Sequence, residues 1–378
     1  MNRRQRSDAI VVGAGIVGAA CAAALAEDGW CVTILERSFA SAGTTSVGMG
    51  HIVVMDDSPE QLALTAYSER LWKDLAPELD LRSELDPCGT LWVAEDAAQL
   101  DAVRTKQRVY ADAGIESEML DQRGLREAEP NLHHGLVGAL RVPGDSVVYP
   151  PGVTRRLLAK ARAHGASLRE GVEVREVLPN AVRCDDETLH AEVIINATGA
   201  SAAELTPGLP IVPRKGHLAI TDRYPGFCHH QLVELGYLTS AHVMTSESVA
   251  FNIQPRRTGQ MLIGSSRELV GWDLSINHTV LGRMLARATE FVPRLADLSI
   301  IRCWTGFRPA TPDKLPLIGR WEATPGLWIA AGHEGLGITT SLGTARLLAD
   351  QIAGRPTEID ASPFVPARVV DAAVGEHS

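Results

Sequence analysis

The 378-residue sequence has few cysteines and no excess of basic residues. Its six cysteines show no C-x-x-C pair and no regular spacing, so they indicate reduced thiols and a cytoplasmic protein rather than a disulfide framework. Acidic residues outnumber basic ones by 46 to 36, and the formal charge of −10 argues against a nucleic-acid partner, because phosphate binding needs a basic surface. The pairs His133–His134 and His229–His230 lack ligand partners at helical spacing, so no metal site is predicted.

The sequence also lacks an uninterrupted membrane span. One uncharged run, residues 9–26 (AIVVGAGIVGAACAAALA), follows a start with three arginines and has the outline of a signal peptide or a span. Gly13, Gly15 and Gly18 lie inside this run, and three glycines would weaken an apolar helix. We therefore expect neither a cleaved leader nor a membrane partner.

The same run fits the start of a nucleotide-binding fold. "DAIVV" predicts a strand, "IVGAACAAALAEDG" a helix that ends at Gly29, and "WCVTILE" a second strand that ends at Glu36. In a G-x-G-x-x-G turn the first glycine allows the turn, the second lets the backbone approach a pyrophosphate, and the third lets helix and strand pack. The helix N-terminus attracts phosphate, and Glu36 would accept hydrogen bonds from ribose hydroxyls. The pattern predicts a dinucleotide site, but NAD and FAD share it.

Three further segments combine small residues with predicted strands. "RSFASAGTTSVGMGHI" follows Glu36, and its hydroxyls could reach a pyrophosphate. "AEVIINATGAS" (residues 191–201) and "GLWIAAGHEGLGITTSLGTARLLADQIAG" (residues 326–354) each place a glycine turn after a buried strand, the latter with a helix from about Gly337. Strands of this kind can bring their turns together at the carboxyl ends of one parallel sheet.

Five motifs run in order along nearly the whole chain: "VVGAGIVGAACAAALAEDG", "GTTSVGMGH", "VIINATGA", "GFRPATPDKLPLIG" and "AAGHEGLGITTSLGTA". Together they resemble the FAD-dependent D-amino acid oxidase superfamily, in particular its glycine oxidase, sarcosine oxidase and D-hydroxyproline dehydrogenase group. The first motif is generic, whereas the last two are more selective. The resemblance implies an α/β fold with a Rossmann-type FAD-binding domain, a βαβ unit on a parallel sheet, interleaved with an α+β substrate domain built on an antiparallel sheet.

The two domains are expected to alternate along the chain. The FAD-binding domain is predicted at residues 1–79, 145–206 and 326–378, and the substrate-binding domain at residues 80–144 and 207–325. Within the latter, "GTLWVAED", "KGHLAIT", "SVAFNIQPRRTGQMLIGSS" and "IIRCWTGFRP" predict strands, with a hairpin turn at "QPRRTGQ".

The resemblance also implies which residues hold an extended FAD, with its adenine near Val174 and a helix N-terminus near the flavin ring. Relatives with covalent flavin use a cysteine two residues before Arg308, or a histidine near the N-terminus; Gly306 stands at the first position, so non-covalent FAD is predicted. The predicted cofactor-binding residues are Gly13, Gly15, Ile16, Val17, Gly18, Glu36, Arg37, Thr44, Thr45, Ser46, Met49, Gly50, His51, Val174, Ala197, Gly199, Gly332, His333, Glu334, Gly335, Leu336, Gly337, Ile338 and Thr339.

Arg308 is the strongest candidate for the catalytic site. A guanidinium binds a carboxylate through two parallel hydrogen bonds, which fixes its angle as well as its distance, and the resemblance implies this role for Arg308. A surface pair with Asp313 is the alternative. Further catalytic or pocket candidates, each with a structural alternative, are Met49, His51, Asn252, Tyr237, Tyr149 and Lys215, the last near the cavity mouth or simply exposed.

The resemblance implies oxidation of the C–N bond of glycine, an N-substituted glycine or a D-amino or imino acid, by hydride transfer to the flavin and hydrolysis of the imine, with no general base. The turn "GHEGLG" lacks the second arginine of some glycine oxidases and the oxygen-activating lysine of sarcosine oxidases. The electron acceptor is therefore O2 or another compound, and a D-hydroxyproline-type dehydrogenase is the alternative. A flavoprotein without amine oxidation, such as a tRNA-modifying one, and a NAD-dependent dehydrogenase are further alternatives.

Overall fold

The computed structural model describes residues 7–235 and 247–369. The candidate Tyr237 lies outside the described residues. No helix in these two ranges is both long and apolar enough to cross a bilayer.

Strands within the described residues form two large sheets and two small ones. In chain order they are β1 Ala9–Val12, β2 Val32–Glu36, β3 His51–Ile52, β4 Thr90–Ala94, β5 Glu118–Asp121, β6 Gly138–Val142, β7 Ser146–Val147, β8 Ser167–Glu170, β9 Val174–Leu178, β10 Ala181–Cys184, β11 Thr188–His190, β12 Val193–Asn196, β13 Val212–Thr221, β14 Gln231–Glu234, β15 Glu247–Pro255, β16 Met261–Glu268, β17 Ile300–Ala310, β18 Leu317–Arg320 and β19 Leu327–Ala331. The α-helices are α1 Ile16–Glu27, α2 Thr44–Val47, α3 Pro59–Leu75, α4 Ala97–Asp112, α5 Gln122–Ala128, α6 Pro150–Ala163, α7 Ala202–Leu205, α8 His278–Phe291 and α9 Ser341–Ile352.

The first large sheet has six strands in the order β18-β19-β12-β1-β2-β8. All its pairs are parallel except β18 with β19. The strands are short and apolar because helices cover them, as in other buried parallel sheets. Alanines along α1 let this helix pack closely against α6 and α9, and all three helices contribute to one apolar core. The predicted βαβ unit is confirmed, with α1 ending at Glu27, two residues before the predicted end at Gly29.

The second large sheet has eight strands in the order β17-β13-β16-β15-β14-β4-β6-β5. Its pairs are antiparallel except β14 with β4. The strands predicted around Thr90, Leu218, Phe251 and Trp304 all belong to it. Helix α8 covers one face, where Phe291 stacks on Phe251 with ring centroids 4.3 Å apart.

Two predicted boundaries differ from the structure. The last helix begins at Ser341 rather than near Gly337, because residues 337–340 form turns in which Ser341 N–H donates to Ile338 O at 3.3 Å. Strand β18 falls inside the segment 207–325 predicted for the substrate domain, yet it pairs with β19 in the six-stranded sheet. The division into two domains stays a prediction; by sheet membership its last boundary would lie between Ala310 and Leu317.

Candidate active site

A cavity of about 500 Å³, here called the main cavity, lies where the carboxyl ends of β1 and β12 face the eight-stranded sheet. Chain segments that are distant in sequence, from both large sheets, meet at its wall. Of the predicted cofactor-binding residues, those that line it are Gly13, Gly15, Ile16, Val17, Glu36, Arg37, Thr44, Thr45, Met49, Gly50, His51, Val174, Ala197, Gly199, His333, Glu334, Gly335, Gly337 and Ile338. Arg308 and Asn252 line it as well.

The glycine turn after β1 has the geometry that a dinucleotide needs. Gly13 has φ +103°, a conformation that other residues rarely adopt, and a Cβ there would lie 2.7 Å from Ala197 O. A Cβ on Gly18 would lie 2.0 Å from Gly13 O, so only glycine lets α1 pack against the turn. Gly18 therefore lies behind the cavity wall and has the packing role that the sequence predicted for it.

The N-terminus of α1 and Glu36 form one end of the main cavity. The N-cap residue Gly15 has no side chain, and Thr45 Oγ1 accepts the Ile16 N–H at 3.0 Å. No acidic residue occupies the first turn, so the positive dipole end is not neutralised there and can attract a phosphate. Glu36 accepts hydrogen bonds from Ala14 N–H and Ser38 N–H, both at 2.9 Å. These bonds hold its carboxylate at the cavity wall, beside the turn.

Short helix α2 joins the two sheets at the middle of the main cavity. Thr44 donates a side-chain hydrogen bond to Phe307 O at 2.8 Å, and Trp304 Nε1–H donates to Val47 O at 3.1 Å. A Cβ on Gly306 would lie 2.4 Å from a Val47 methyl carbon, so this packing leaves little room for a side chain at position 306. A flavin-linking cysteine at position 306 would therefore clash with Val47 where α2 packs against β17.

Four more predicted residues lie outside the wall of the main cavity. The Ser46 hydroxyl lies within hydrogen-bond distance of Ala42 O and Gly43 O, to which it donates. Gly332 packs behind the wall, where a Cβ would lie 2.6 Å from a Thr311 methyl carbon. Thr339 is fully buried and donates to His51 O at 2.9 Å. Leu336 packs in an apolar cluster and faces a second cavity, described below.

Arg308, near the end of β17, faces the main cavity. Its Nη1 donates to Ser266 O at 2.9 Å, which anchors the guanidinium. Gly216, opposite on β13, makes room for it, because a Cβ there would lie 2.3 Å from Nη1. Asp313, the predicted surface partner, instead binds Arg368 at 2.7 Å. The guanidinium lines the cavity, whereas Asp313 pairs with Arg368.

His51 is part of a buried hydrogen-bond chain. Its Nδ1 bonds Gln231 Oε1, and Gln231 Nε2–H donates to Thr90 Oγ1 at 2.9 Å, which fixes the orientation of the amide. Nδ1 therefore carries the ring proton, and Nε2 accepts from Asn252 Nδ2 at 3.4 Å. Burial lowers the pKa of His51 to about 4, and the charge of Arg308 adds to this shift while the bond to Gln231 opposes it. His51 is neutral at physiological pH.

Glu334 is a carboxylate whose charge is influenced by Arg308. Burial would raise its pKa, but Arg267, Arg308 and Arg214 around it hold the pKa below its ordinary value, so the carboxylate stays ionised. Its Oε1 lies 3.4 Å from Arg214 Nη1 and 3.9 Å from Arg267 Nε. The sequence predicted Glu334 at the cofactor but did not predict this cluster of charges.

Two predicted pocket residues lie elsewhere. Lys215 is neither exposed nor at a cavity mouth, since 1% of its side chain is exposed and Nζ lies 3.5 Å from Glu268 and 3.2 Å from Asp273. Tyr149, at the N-cap of α6, is 40% exposed and carries Arg256 over its ring. Both positions depend on which strands and helices pack together, which single-chain patterns do not reveal.

The structure adds residues that sequence reasoning missed. Ser265 lines the main cavity, 3% exposed, and its hydroxyl has no partner among the described residues. Gly216 and Thr198 also line it. A glycine inside the strand "PRKGHLAI" is a signal of close approach that could have identified Gly216.

A second cavity of about 80 Å³, here called the small cavity, adjoins the main one. Residues His51, Asn252, Glu334 and Gly335 line both. No cluster of three metal-binding side chains occurs among residues 7–235 and 247–369.

Residues 8–351 match the family model described as DAO, FAD dependent oxidoreductase. The chain belongs to this family. It is 29% identical over 377 residues to the glycine oxidase of Pseudomonas aeruginosa (strain PAO1), covering 95% of this chain and 98% of that protein. It is 30% identical to the D-amino acid dehydrogenase of Methylobacterium sp. (strain 4-46), and the match covers 95% of this chain and 98% of that protein. It spans about half, 52%, of the length of the bifunctional protein ThiO/ThiG of Nostoc sp., at 29% identity.

A solved structure agrees with the family assignment. The glycine oxidase from Geobacillus kaustophilus has a TM-score of 0.85 to this chain at 27% identity, with 96% of this chain and 98% of that one covered. The protein is therefore an FAD-dependent amino acid oxidoreductase of the DAO family. The predicted family, fold class, enzyme class and FAD cofactor are confirmed.

The main cavity fits FAD on its own geometry. The start of α1 and the Gly13 turn suit the pyrophosphate, and Glu36 suits the ribose beyond it. Which individual residues contact FAD stays a prediction.

Proposed function

We propose that this oxidoreductase oxidises the C–N bond of glycine, an N-substituted glycine or a D-amino or imino acid, and that Arg308 binds the substrate carboxylate. The observation that carries the proposal is the anchored guanidinium of Arg308, which faces the main cavity in the space that Gly216 provides. Two parallel hydrogen bonds from a guanidinium fix both the distance and the angle of a carboxylate. The similarity to a glycine oxidase over nearly the full length supports the same reaction.

Asn252 is the candidate for binding the amine. Its Oδ1 is buried without a partner among the described residues, and its Nδ2 is directed to His51. An orphaned buried acceptor is costly, and an amine N–H would satisfy it. Asn252 and Arg308 would then hold the two ends of an α-amino acid.

The charges around this site favour the neutral form of the amine. A buried ammonium group beside Arg308 is disfavoured both by desolvation and by repulsion. Neutral His51 adds no charge, and it accepts no proton from the substrate near pH 7 because its pKa is about 4. A neutral amine has the lone pair that assists loss of hydride from the adjacent carbon, so these residues prepare the substrate without a general base.

FAD, when bound, accepts the hydride that leaves the substrate carbon. The residues of this chain that would hold it without a covalent bond are the Gly13 turn, Glu36, helix α2 and the segment 333–338. The imine product then hydrolyses in water to an oxo acid and an amine or ammonia.

The test is anaerobic reduction of the yellow holoenzyme by glycine, sarcosine, longer N-alkylglycines, D-proline and D-hydroxyproline. We expect Arg308→Met to raise the Kd of the active substrate by about a hundredfold, since charge-assisted pairs contribute about 1.5–3 kcal/mol or more. The matched control is Arg302→Met, an exposed arginine on the same strand. An Arg308→Met enzyme with unchanged substrate affinity and normal FAD content would contradict the proposal.

The alternative is a dehydrogenase of D-hydroxyproline type that passes electrons to an acceptor other than O2. It is favoured by the segment 332–337, GHEGLG, which contains no lysine, and by the similarity to a D-amino acid dehydrogenase. Stoichiometric peroxide with the active amine would identify an oxidase, whereas dye reduction without peroxide would identify the dehydrogenase. The cytoplasmic location stays a prediction.

A further inference from the structure

A chain of buried hydrogen bonds leads from the main cavity to Asp145, a carboxylate that the proposed reaction does not use. The chain begins at Asn252, whose Nδ2 lies 3.4 Å from His51 Nε2, and it continues from His51 Nδ1 to Gln231 Oε1. Gln231 Nε2 lies 2.9 Å from Thr90 Oγ1, and the Thr90 side chain is a hydrogen-bond partner of Asp145. Thr90 and Asp145 are fully buried. A side chain outside the cavity is thus connected to the residue proposed to bind the amine.

Asp145 lies between β6 and β7, and its carboxylate is held on one side only by the backbone. Its Oδ1 accepts a hydrogen bond from Val54 N–H at 3.1 Å, whereas no N–H of the described residues reaches its buried Oδ2. The Thr90 hydroxyl is the side-chain donor that stabilises the ionised carboxylate, and Oδ2 is the acceptor left for its hydrogen. The two residues are also joined through the backbone, because Gly89 N–H donates to Asp145 O at 3.1 Å.

The direction of every bond in this chain depends on the charge of Asp145. A hydroxyl has one hydrogen, so a Thr90 that donates to a carboxylate can only accept from Gln231. Gln231 then turns Oε1 to His51, which keeps its ring proton on Nδ1 and accepts from Asn252 at Nε2. The reverse chain is equally complete, with Thr90 donating to Gln231 Oε1 and Gln231 Nε2–H donating to His51. His51 Nε2–H would then donate to Asn252 Oδ1. An ionised carboxylate only accepts, so it selects the first direction.

The two directions present different atoms of Asn252 to the substrate amine. In the first, Oδ1 is the free atom, as the structure has it, and it accepts an N–H of the amine. In the reverse one, Nδ2–H donates to the lone pair of the amine, which then no longer assists loss of hydride from the adjacent carbon. We propose that Asp145 is a positioning residue, which through this chain keeps Asn252 Oδ1 directed to the amine. The inference rests on the proposed function, because it takes Asn252 as the group that binds the amine.

The carboxyl group of Asp145 changes its charge near neutral pH. Burial raises its pKa to about 7, an effect that Glu69 reinforces. Hydrogen bonds from Thr90 and Val54 N–H and the charge of Lys106 oppose the shift. A protonated Asp145 can donate to Thr90 Oγ1, and the chain then runs in reverse. The titratable groups around this carboxyl are Glu69 on α3, Lys106 and Tyr110 on α4, Asp56 and Asp57 after β3, and Cys88 before β4.

The first measurement is the tautomer of His51 in the holoenzyme, from nitrogen-15 NMR of protein with labelled histidine, and His51→Gln identifies the signal. We expect the ring proton on Nδ1 in the wild type at about pH 8.5, and on Nε2 in Asp145→Asn. In the variant Val54 N–H keeps the amide oxygen, so the amide N–H faces Thr90 and reverses the chain. The wild type at about pH 5.5 should resemble the variant, since His51, with a pKa of about 4, stays neutral there. A proton on Nδ1 in both proteins at about pH 8.5 would overturn the inference.

The second measurement is anaerobic flavin reduction by the active amine, which separates the substrate Kd from the limiting rate. We expect Asp145→Asn to lower the limiting rate about tenfold at about pH 8.5, the effect of one hydrogen bond that the reaction must break, with the Kd within about threefold. The ratio of wild-type to variant limiting rates cancels the titration of the substrate, and it should fall from about ten toward one at about pH 5.5. Equal limiting rates at about pH 8.5 would overturn the inference and leave the proposed function intact. Failure of every amine would refute the proposed function, and the His51 tautomer would still decide the direction of the chain.

Thr90 allows the same test at the link itself, and it decides the question if Asp145→Asn does not fold. Thr90→Val has nearly the same shape but no hydroxyl, so the charge of Asp145 no longer sets the direction of the chain. We expect its limiting rate to fall toward that of Asp145→Asn and to lose the step near pH 7, and Thr90→Ser to restore both. The matched control is Thr154→Val, since Thr154 is fully buried and donates to Pro150 O at 2.9 Å within α6. A wild-type limiting rate and pH profile in Thr90→Val would overturn the inference.

Discussion

At the scale of single residues, the position of Arg308 depends on the glycine across from it. Gly216 on β13 pairs with Gly306, and a Cβ at 216 would lie 2.3 Å from Arg308 Nη1 and 2.9 Å from Nη2. The far end of a flexible side chain can move away, so we expect Gly216→Ala to fold normally but to displace the guanidinium. The predicted result is a rise of about tenfold or more in substrate Kd, since small misplacement at a reacting site has large effects.

Stopped-flow reduction of the flavin gives the Kd and the limiting rate for this variant, and thermal unfolding checks the fold. Gly282→Ala in α8 is the matched control, because a Cβ there meets no atom within 4 Å. That control should be more stable by up to about 1 kcal/mol, the usual gain for alanine over glycine inside a helix. Normal substrate affinity in Gly216→Ala would show that the guanidinium is not held where Gly216 makes room for it.

At the scale of elements, His333 joins the segment after β19 to helix α9. Its Nε2 bonds Thr344 Oγ1 at 3.0 Å, and the residue is 4% exposed. Burial lowers the pKa of His333 from 6.5 to about 4. The unfolded chain therefore binds one proton more than the folded one between these values, and this histidine destabilises the fold as pH falls through that window.

We expect the free energy of unfolding of the wild type to lose about 2 kcal/mol between pH 7 and pH 5 through His333, because one bound proton contributes about 1.4 kcal/mol per pH unit. The free energy of unfolding of His333→Gln should therefore fall by about 2 kcal/mol less than that of the wild type over the same pH range. Urea unfolding at a fixed FAD concentration measures both. The control is His190→Gln, at the exposed end of β11. Identical pH dependence in wild type and His333→Gln would mean that His333 is not buried in its neutral form.

At the scale of the whole molecule, the sequence predicted individual strands, helices and turns well, but it predicted the contacts between them less well. The spacing of Gly13, Gly15 and Gly18 predicted the βαβ unit because each glycine has a local steric task. Arg308 was predicted through its motif, but its dependence on Gly216 was not, because it arises from the register of β13 against β17. The same limit explains Lys215: its burial follows from a loop that brings Asp273 to its Nζ.

The small cavity shows this limit most clearly. Arg214, Arg267 and Lys314 lie on β13, β16 and the turn before β18, and no spacing in the sequence relates them. Only the packing of those elements brings their charges together around Glu334. Charge clusters of this kind are properties of the assembled molecule, so a motif search finds the glycine turns and passes over the cluster.

The assembled molecule also gives the last prediction, because the wall of the main cavity combines segments from both large sheets. A ligand that contacts all of them binds the native state alone, so FAD should stabilise the apoprotein by about 2.7 kcal/mol at a hundred times its Kd. FMN lacks the adenosine half and would leave the Glu36 end without a ligand. We therefore expect FMN at the same concentration to raise the midpoint of thermal unfolding much less than FAD does. Equal shifts for FMN and FAD would show that the Gly13 turn and Glu36 do not hold the adenosine half, and the placement of the cofactor along the cavity would have to be reversed.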